Sequence, residues 1–227
     1  MLKFLSFGSG SSGNCYILFT GADCLMIDCG VGIRTLKKHF YNYGLQMSMI
    51  HHILITHDHA DHVKSVGSIS GDLQLPIYAT DGTLQGIRNN WCVRRKIDTK
   101  LTHTINKGEE ILLGEFKVVA FDVPHDSTDC VGYSIEHDGV RFTLVTDCGH
   151  ITEDIAHYIS ISNYLVIEAN HEPEKLAAGP YPRHLKERIS GPNGHLSNEA
   201  CALALVQNAS PLLRHVWLCH LSDENNH

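Results

Sequence analysis

His57-Asp58-His59-Ala60-Asp61-His62 stands directly behind the run His52-Ile53-Leu54-Ile55-Thr56, and this junction decides the fold class. The run is short, apolar and β-branched, as a buried strand is. His57 and His59 alternate, so an extended loop turns both imidazoles the same way. Asp61 and His62 fall at the start of the helix expected over 61–70. Three imidazoles and a carboxylate within one short loop are a ligand set for Zn²⁺, Mn²⁺ or Fe²⁺. As a solvated turn the same groups would repel one another or perturb one another's protonation.

Elsewhere in the chain, short β-like runs recur at 15–19, 24–28, 116–121, 141–146, 164–168 and 215–219, each bounded by Gly, Asp, Asn or Pro. Helical patterns lie at 31–43 and 198–207, the latter with Ser197 as N-cap. Strands with interleaved helices imply a mixed α/β domain with helices on the sheet faces. Chelating residues stand where β-runs end: His57, His125 through Pro124, Asp147, and His220. Strand ends on one side of a sheet gather in space, so four strands each deliver one chelator to a common place.

The 227 residues are 43% hydrophobic, enough for a real core, and the formal net charge is −7. That charge argues against a chain that coats nucleic acid by electrostatics alone, although a local basic patch remains compatible with it. No apolar run reaches a membrane span, and the stretch Met1–Asn14 is too interrupted by Gly and Ser for a secretory signal. None of the 8 Cys forms a CxxC pair, and most sit in apolar runs, as buried thiols of a reducing compartment do. The expected location is the cytoplasm. The 17 His exceed ordinary usage and point to metal or acid–base chemistry.

The HxHxDH element resembles the signature of the metallo-β-lactamase superfamily. That resemblance implies an αββα sandwich, two mixed β-sheets flanked by helices, as a single domain over 1–227. It implies one ion held by His57, His59 and His125, a second by Asp61, His62 and His220, and Asp147 shared between them. An Asp at the shared position is what the phosphodiesterase branch uses. A narrower resemblance runs through nearly the whole chain. Gly8–Asn14, His125–Tyr133, Glu168–Glu172, Gly194–Asn198 and His220–Asn226 are similar, in order, to the bacterial YycJ/VicX-type proteins, also called WalJ, which are related to ribonucleases Z and J. This family is associated with 5′-to-3′ exonuclease action on DNA. Its members continue into a further helix, so a C-terminal helix is expected to be missing after His227.

The chemistry so implied is phosphodiester hydrolysis by a water shared between two divalent ions, with Asp61 orienting that water. His195, in Gly194-His195-Leu196-Ser197-Asn198, resembles the residue that protonates the leaving oxygen; on its own it reads as an ordinary loop histidine. Ser197 and the helix start behind it can receive a phosphate. Ser11, Ser12 and Asn14 read either as a plain turn or as the rim of the site. Of the two basic clusters, Arg94–Lys96 and 181–188, the second precedes His195, making Arg183 and Lys186 the candidates for backbone phosphates. Glu168 follows a buried strand and is expected to support a ligand from behind. A small-molecule thioester, lactone or cyclic phosphodiester hydrolase is the competing reading on the same fold, and a metal-stabilised binding protein the third. Metal identity, DNA against RNA, and oligomeric state stay open.

Overall fold

A computed structural model of the chain describes residues 1–226; His227, where the expected break before a C-terminal helix falls, lies outside them. The chain forms two compact units, residues 1–117 with 127–129, and residues 118–126 with those from 130 onward.

The first unit carries β1 (Lys3–Gly8), β2 (Cys15–Phe19), β3 (Cys24–Ile27), helix α1 (Ile33–Asn42), β4 (His52–Leu54), α2 (Ala60–Val63), α3 (Val66–Leu73), β5 (Ile77–Ala79), α4 (Asp81–Asn89) and β6 (Thr102–Thr104). The sheet runs β1-β2-β3-β4-β5-β6. Its first three strands are antiparallel, and β3 to β6 are parallel. Cys15, Ile17, Met26, Ile53, Ile55 and Ile77 meet Leu36 and Phe40 of α1, Val66 and Ile69 of α3, and Leu84 and Ile87 of α4 in one core. Each such fully buried side chain contributes about 1.5–3 kcal/mol. Because β3 and β4 are parallel, both hand over to loops at the same edge. Asp28 and the His57 loop therefore emerge side by side.

The helix expected over 61–70 is two helices. Ser65 breaks it by turning its N–H onto Cys29 O at 3.0 Å and its hydroxyl onto Val31 O at 2.8 Å. Bonds to the loop after β3 replace the helical ladder, and this anchors the metal-ligand loop to its neighbour strand.

After β7 (Glu110–Leu113) and β8 (Phe116–Asp122), the second unit carries β9 (Val131–His137), β10 (Val140–Val145), α5 (Glu153–Ile161), β11 (Tyr164–Glu168), α6 (Pro173–Ala178), α7 (Arg183–Ile189), α8 (Asn198–Asn208) and β12 (His215–Cys219). The second sheet is ordered β12-β11-β10-β9-β8-β7. Asp138 and Gly139, at φ 51° and 72°, make the two-residue turn between β9 and β10. β10, β11 and β12 are parallel neighbours, so their C-terminal ends share one edge. Ile155 and Ile159 of α5 and Cys201 and Ala204 of α8 cover this sheet over Val145, Leu165 and Ile167. Ser197 caps α8 through its hydroxyl, which accepts the Ala200 N–H at 3.2 Å. Two mixed sheets with flanking helices are thus present, as the superfamily resemblance implies.

Candidate metal centre and acid–base pair

In the first unit, Asp28 follows β3 with φ 62°, a left-handed conformation that Asp tolerates better than most residues. Its Oδ1 accepts the Thr56 N–H at 2.9 Å, and its Oδ2 accepts the Thr56 hydroxyl at 2.9 Å. Oδ2 also accepts from His62 Nδ1 at 2.7 Å. A carboxylate holds the proton on Nδ1, which makes His62 Nε2 a lone-pair donor. The rings of His59 and His62 lie 4.7 and 4.0 Å from that of His57. Asp61 Oδ2 is 3.6 Å from His62 Nε2. The four side chains of the motif thus stand close together in the first unit. These close-packed imidazoles and carboxylate are chemically suited to a divalent cation. Asp28 was not singled out from sequence; an acid ending the strand parallel to the one before the His cluster is the signal for it.

Gly30 holds this loop from the other side, for a Cβ there would collide with the Asp61 carbonyl. Asn14, expected at the rim, is instead fully buried. Its Nδ2 is 2.8 Å from His62 Nε2, and its N–H donates to Asp61 O at 2.7 Å. It buttresses the ligand loop from inside, while Ser11 and Ser12 are exposed on the turn.

The second unit gathers its donors at the shared strand edge. Asp147 follows β10 and His220 follows β12, at φ 51° and 53°. Asp147 Oδ1 lies 3.7 Å from His125 Nε2 and 3.4 Å from His220 Nε2. Thr146 donates its hydroxyl to Asp147 Oδ2 at 2.8 Å. His125 Nδ1 donates to Gly194 O at 3.0 Å, directing Nε2 toward Asp147. Asp147, Glu168, His195 and His220 each place a side-chain atom in a cluster no wider than 4.8 Å, in which Asp147 and His220 offer a carboxylate and an imidazole suited to a divalent ion.

Glu168 ends β11 fully buried. Its Oε2 accepts the backbone N–H groups of Cys148 and Leu196 at 2.7 and 3.0 Å. Its Oε1 lies 2.8 Å from His195 Nδ1 and 3.1 Å from His220 Nδ1. Burial pushes its carboxyl up, but the charges and hydrogen bonds of His195 and His220 outweigh burial and leave it below the ordinary value. Burial lowers His195, and the charge and hydrogen bond of Glu168, helped by Asp147, reverse this to a net rise. Glu168 thereby keeps a proton on His195 Nδ1 and favours the imidazolium, leaving Nε2 to face a reacting group.

A cavity of about 500 Å³ opens beside His195, and Arg183, Lys186 and Ser197 line it too. Arg183 is exposed and paired with Glu187 at 2.7 Å, and Lys186 donates to Ala177 O at 2.6 Å. The structure thus brings four of the residues singled out from sequence into one place.

Residues 24–220 match the family model described as a beta-lactamase superfamily domain. The chain belongs to the metallo-β-lactamase superfamily and is, by that fold, a metal-dependent hydrolase. Within it, the chain is 31% identical over 225 residues to exodeoxyribonuclease YycJ of Bacillus anthracis, spanning 99% of this chain and 84% of that protein. It is 32% identical over 224 residues to exodeoxyribonuclease WalJ of Streptococcus pneumoniae, spanning 99% and 83%. Zn²⁺-bound PqqB of Methylobacterium extorquens superposes with a TM-score of 0.78 at 18% identity, covering 99% of this chain and 90% of that one, a likeness of fold. No helix among the described residues is long and apolar enough to cross a membrane.

Proposed function

We propose that the chain is a binuclear metal-dependent phosphodiesterase that degrades DNA from a 5′ end, with 1–227 acting as one hydrolase domain. The observation that carries the reading is His195, held by Glu168 at Nδ1 and opening onto a cavity that also holds Lys186 and Arg183. A proton donor beside cationic side chains suits a phosphodiester. A thioester or lactone needs no such cations. The exodeoxyribonuclease relatives support the same substrate class.

The division of ligands rests on the order of motifs and on the family: His57, His59 and His125 for one ion, Asp61, His62 and His220 for the other, Asp147 for both. Bound divalent ions, Zn²⁺, Mn²⁺ or Fe²⁺, supply a water acidic enough to attack at neutral pH and offset charge on the phosphoryl oxygens. Asp61 would orient the attacking water supplied there. As the P–O bond to the departing sugar breaks, the leaving oxygen takes its proton from His195 Nε2, and the phosphate stays on the other fragment. Lys186, Arg183 and the α8 start at Ser197 hold the neighbouring phosphates.

An acidic chain has little long-range attraction for a polyanion, so engagement of a strand terminus is favoured over wrapping a duplex. The test is cleavage of end-labelled linear DNA, RNA of the same sequence, and covalently closed circular DNA, with Mn²⁺ and Zn²⁺ separately. Stepwise loss from the 5′ end of linear DNA is expected. Equal cutting of closed circles, or cleavage of RNA alone, contradicts the reading, as does exclusive turnover of a thioester or lactone.

A further inference from the structure

The basic run Arg94–Lys96 takes no part in the mechanism above, and neither does the indole beside it. Between Asp81 and Glu109 this acidic chain carries six cations, Arg88, Arg94, Arg95, Lys96, Lys100 and Lys107, against one acid, Asp98. In their midst Trp91 stands 86% exposed. A single exposed apolar ring is ordinary on a protein surface. An indole within a cationic segment is a different surface, because a base can stack on the ring while the cations take the phosphates on either side.

The turn that presents the ring is built around Asn90, just after α4. Asn90 O accepts the Val93 N–H at 3.3 Å and Lys96 Nζ at 2.8 Å, and Asn90 Oδ1 accepts the Cys92 N–H at 2.8 Å. Val93 and Ile97 pack into the core of the first unit, which leaves Arg94, Arg95 and Lys96 exposed between them. Asn90 Nδ2 donates to Asp58 O at 2.7 Å, so the Trp91 turn is tied to the loop that carries His57 and His59. Part of the charge is already answered. Arg95 pairs with Asp72 at 2.5 Å and Lys107 with Asp129 at 2.5 Å, Asp98 Oδ1 accepts the Lys100 N–H at 3.0 Å, and the Asp58 carboxylate is taken up by the N–H and hydroxyl of Thr128 at 3.3 and 2.9 Å. Arg88 and Arg94 are exposed, and neither is paired with a carboxylate among the described residues. Lys96 gives one N–H to a carbonyl and keeps its charge.

We propose that Trp91, with Arg88, Arg94 and Lys96, forms a platform for an unpaired stretch of nucleic acid, one base stacking on the indole and the adjoining phosphates lying on the cations. The choice of DNA as the strand rests on the nuclease reading, to which the platform adds a hold on the strand apart from the atoms that cut it. A double helix keeps its bases stacked inward and offers none to the indole, so the platform selects single strands. An anionic bilayer suits this surface less. Entering it takes several apolar side chains together, and Trp91 is the one exposed large apolar side chain among described residues 50–111.

The test is binding of a fluorescein-labelled, phosphorothioate-linked oligothymidylate to the metal-loaded full chain, followed by anisotropy, with a duplex of the same length and phosphatidylglycerol vesicles alongside. Trp91→Ala is expected to weaken the oligothymidylate about tenfold and to leave the duplex unchanged. Trp91→Phe, which keeps a stacking face, should recover most of the loss. Arg88→Ala and Arg94→Ala should each flatten the dependence of log K on log salt by about 0.7. Hydrolysis of bis-p-nitrophenyl phosphate should be the same in all four variants, showing the centre and the fold intact. Undiminished oligothymidylate binding in Trp91→Ala, a Phe variant as weak as the Ala one, or equal losses on strand and duplex overturns the platform. Trp91-dependent binding of the vesicles without binding of the oligothymidylate does so too and assigns the surface to a membrane. If the oligothymidylate binds through Trp91 but DNA is not cleaved, the platform stands and the nuclease reading falls; if Trp91→Ala degrades DNA from its 5′ end with KM unchanged, the nuclease reading stands and the platform falls.

Discussion

Glu168 Oε1 sits 2.8 Å from His195 Nδ1 while Glu168 Oε2 is pinned by the N–H groups of Cys148 and Leu196. The carboxylate cannot rotate away, so it fixes both the tautomer and the orientation of the imidazole.

Glu168→Gln removes the main influence that raises His195. The alkaline limb of the kcat/KM profile reports loss of the His195 proton, and it should therefore move to lower pH. One face of the new amide also meets backbone donors, costing about 1–3 kcal/mol of stability. A pH–rate profile and a melting curve check both; an unmoved alkaline limb contradicts the pairing.

His195→Ala is expected to retain its metal and to slow DNA cleavage by about 10²–10⁴-fold, the range for a positioned proton donor. An ester of p-nitrophenol needs less protonation and should lose less. Equal losses on both substrates would assign His195 to phosphate binding instead.

Gly30→Ala tests how the ligand loop is held. The added methyl overlaps the backbone carbonyl of Asp61, and nothing flexible is there to yield. The cost is expected near 3 kcal/mol, with weaker metal retention as Asp61 and His62 shift. Chemical denaturation and elemental analysis measure the two effects, and a neutral substitution would show the loop to be looser than described.

Asp23 gives a pH signature of its own. Burial raises its carboxyl, but the hydrogen bond from His51 at 2.6 Å, with the N–H groups of Glu115 and Cys24 and the charge of His52, leaves it below its ordinary value. A carboxyl depressed on folding adds stability above its unfolded pKa of about 3.9, and that stability is lost as pH falls through the folded value. Asp23→Asn should be about 1–3 kcal/mol less stable than wild type at neutral pH, with the gap closing below about pH 4. Urea midpoints across about pH 2.5–7 check the sign, a window set by the carboxylate reference value; a constant gap contradicts it.

Much of this was legible because the chemistry is local. His57 to His62 lie within six residues, and the strand before them is a clean apolar run. Asp147 and His220 could be read as strand-end chelators because β10 and β12 close on apolar residues, Leu144-Val145 and Leu218-Cys219, just before them. What stayed hidden depends on neighbours distant in sequence. β9 interleaves Gly132 and Ser134 among its apolar residues, so its pattern is weak, although the Asp138-Gly139 turn marks it. β5 and β6 have three residues each, too few for a period. Ser65 breaks its helix only because the loop after β3 offers two carbonyls. Asn14 reads as a loop residue until folding brings His62 to its amide.

Whether the centre is a binuclear phosphodiesterase is decided by titrating chelator-stripped protein with Mn²⁺, following hydrolysis of bis-p-nitrophenyl phosphate and thermal stability together. Ligands that bind only the folded state raise its stability, so both signals should rise. The expected outcome is a plateau in each at two ions per chain. A plateau at one ion, or metal binding with no phosphodiester hydrolysis at any loading, would contradict it.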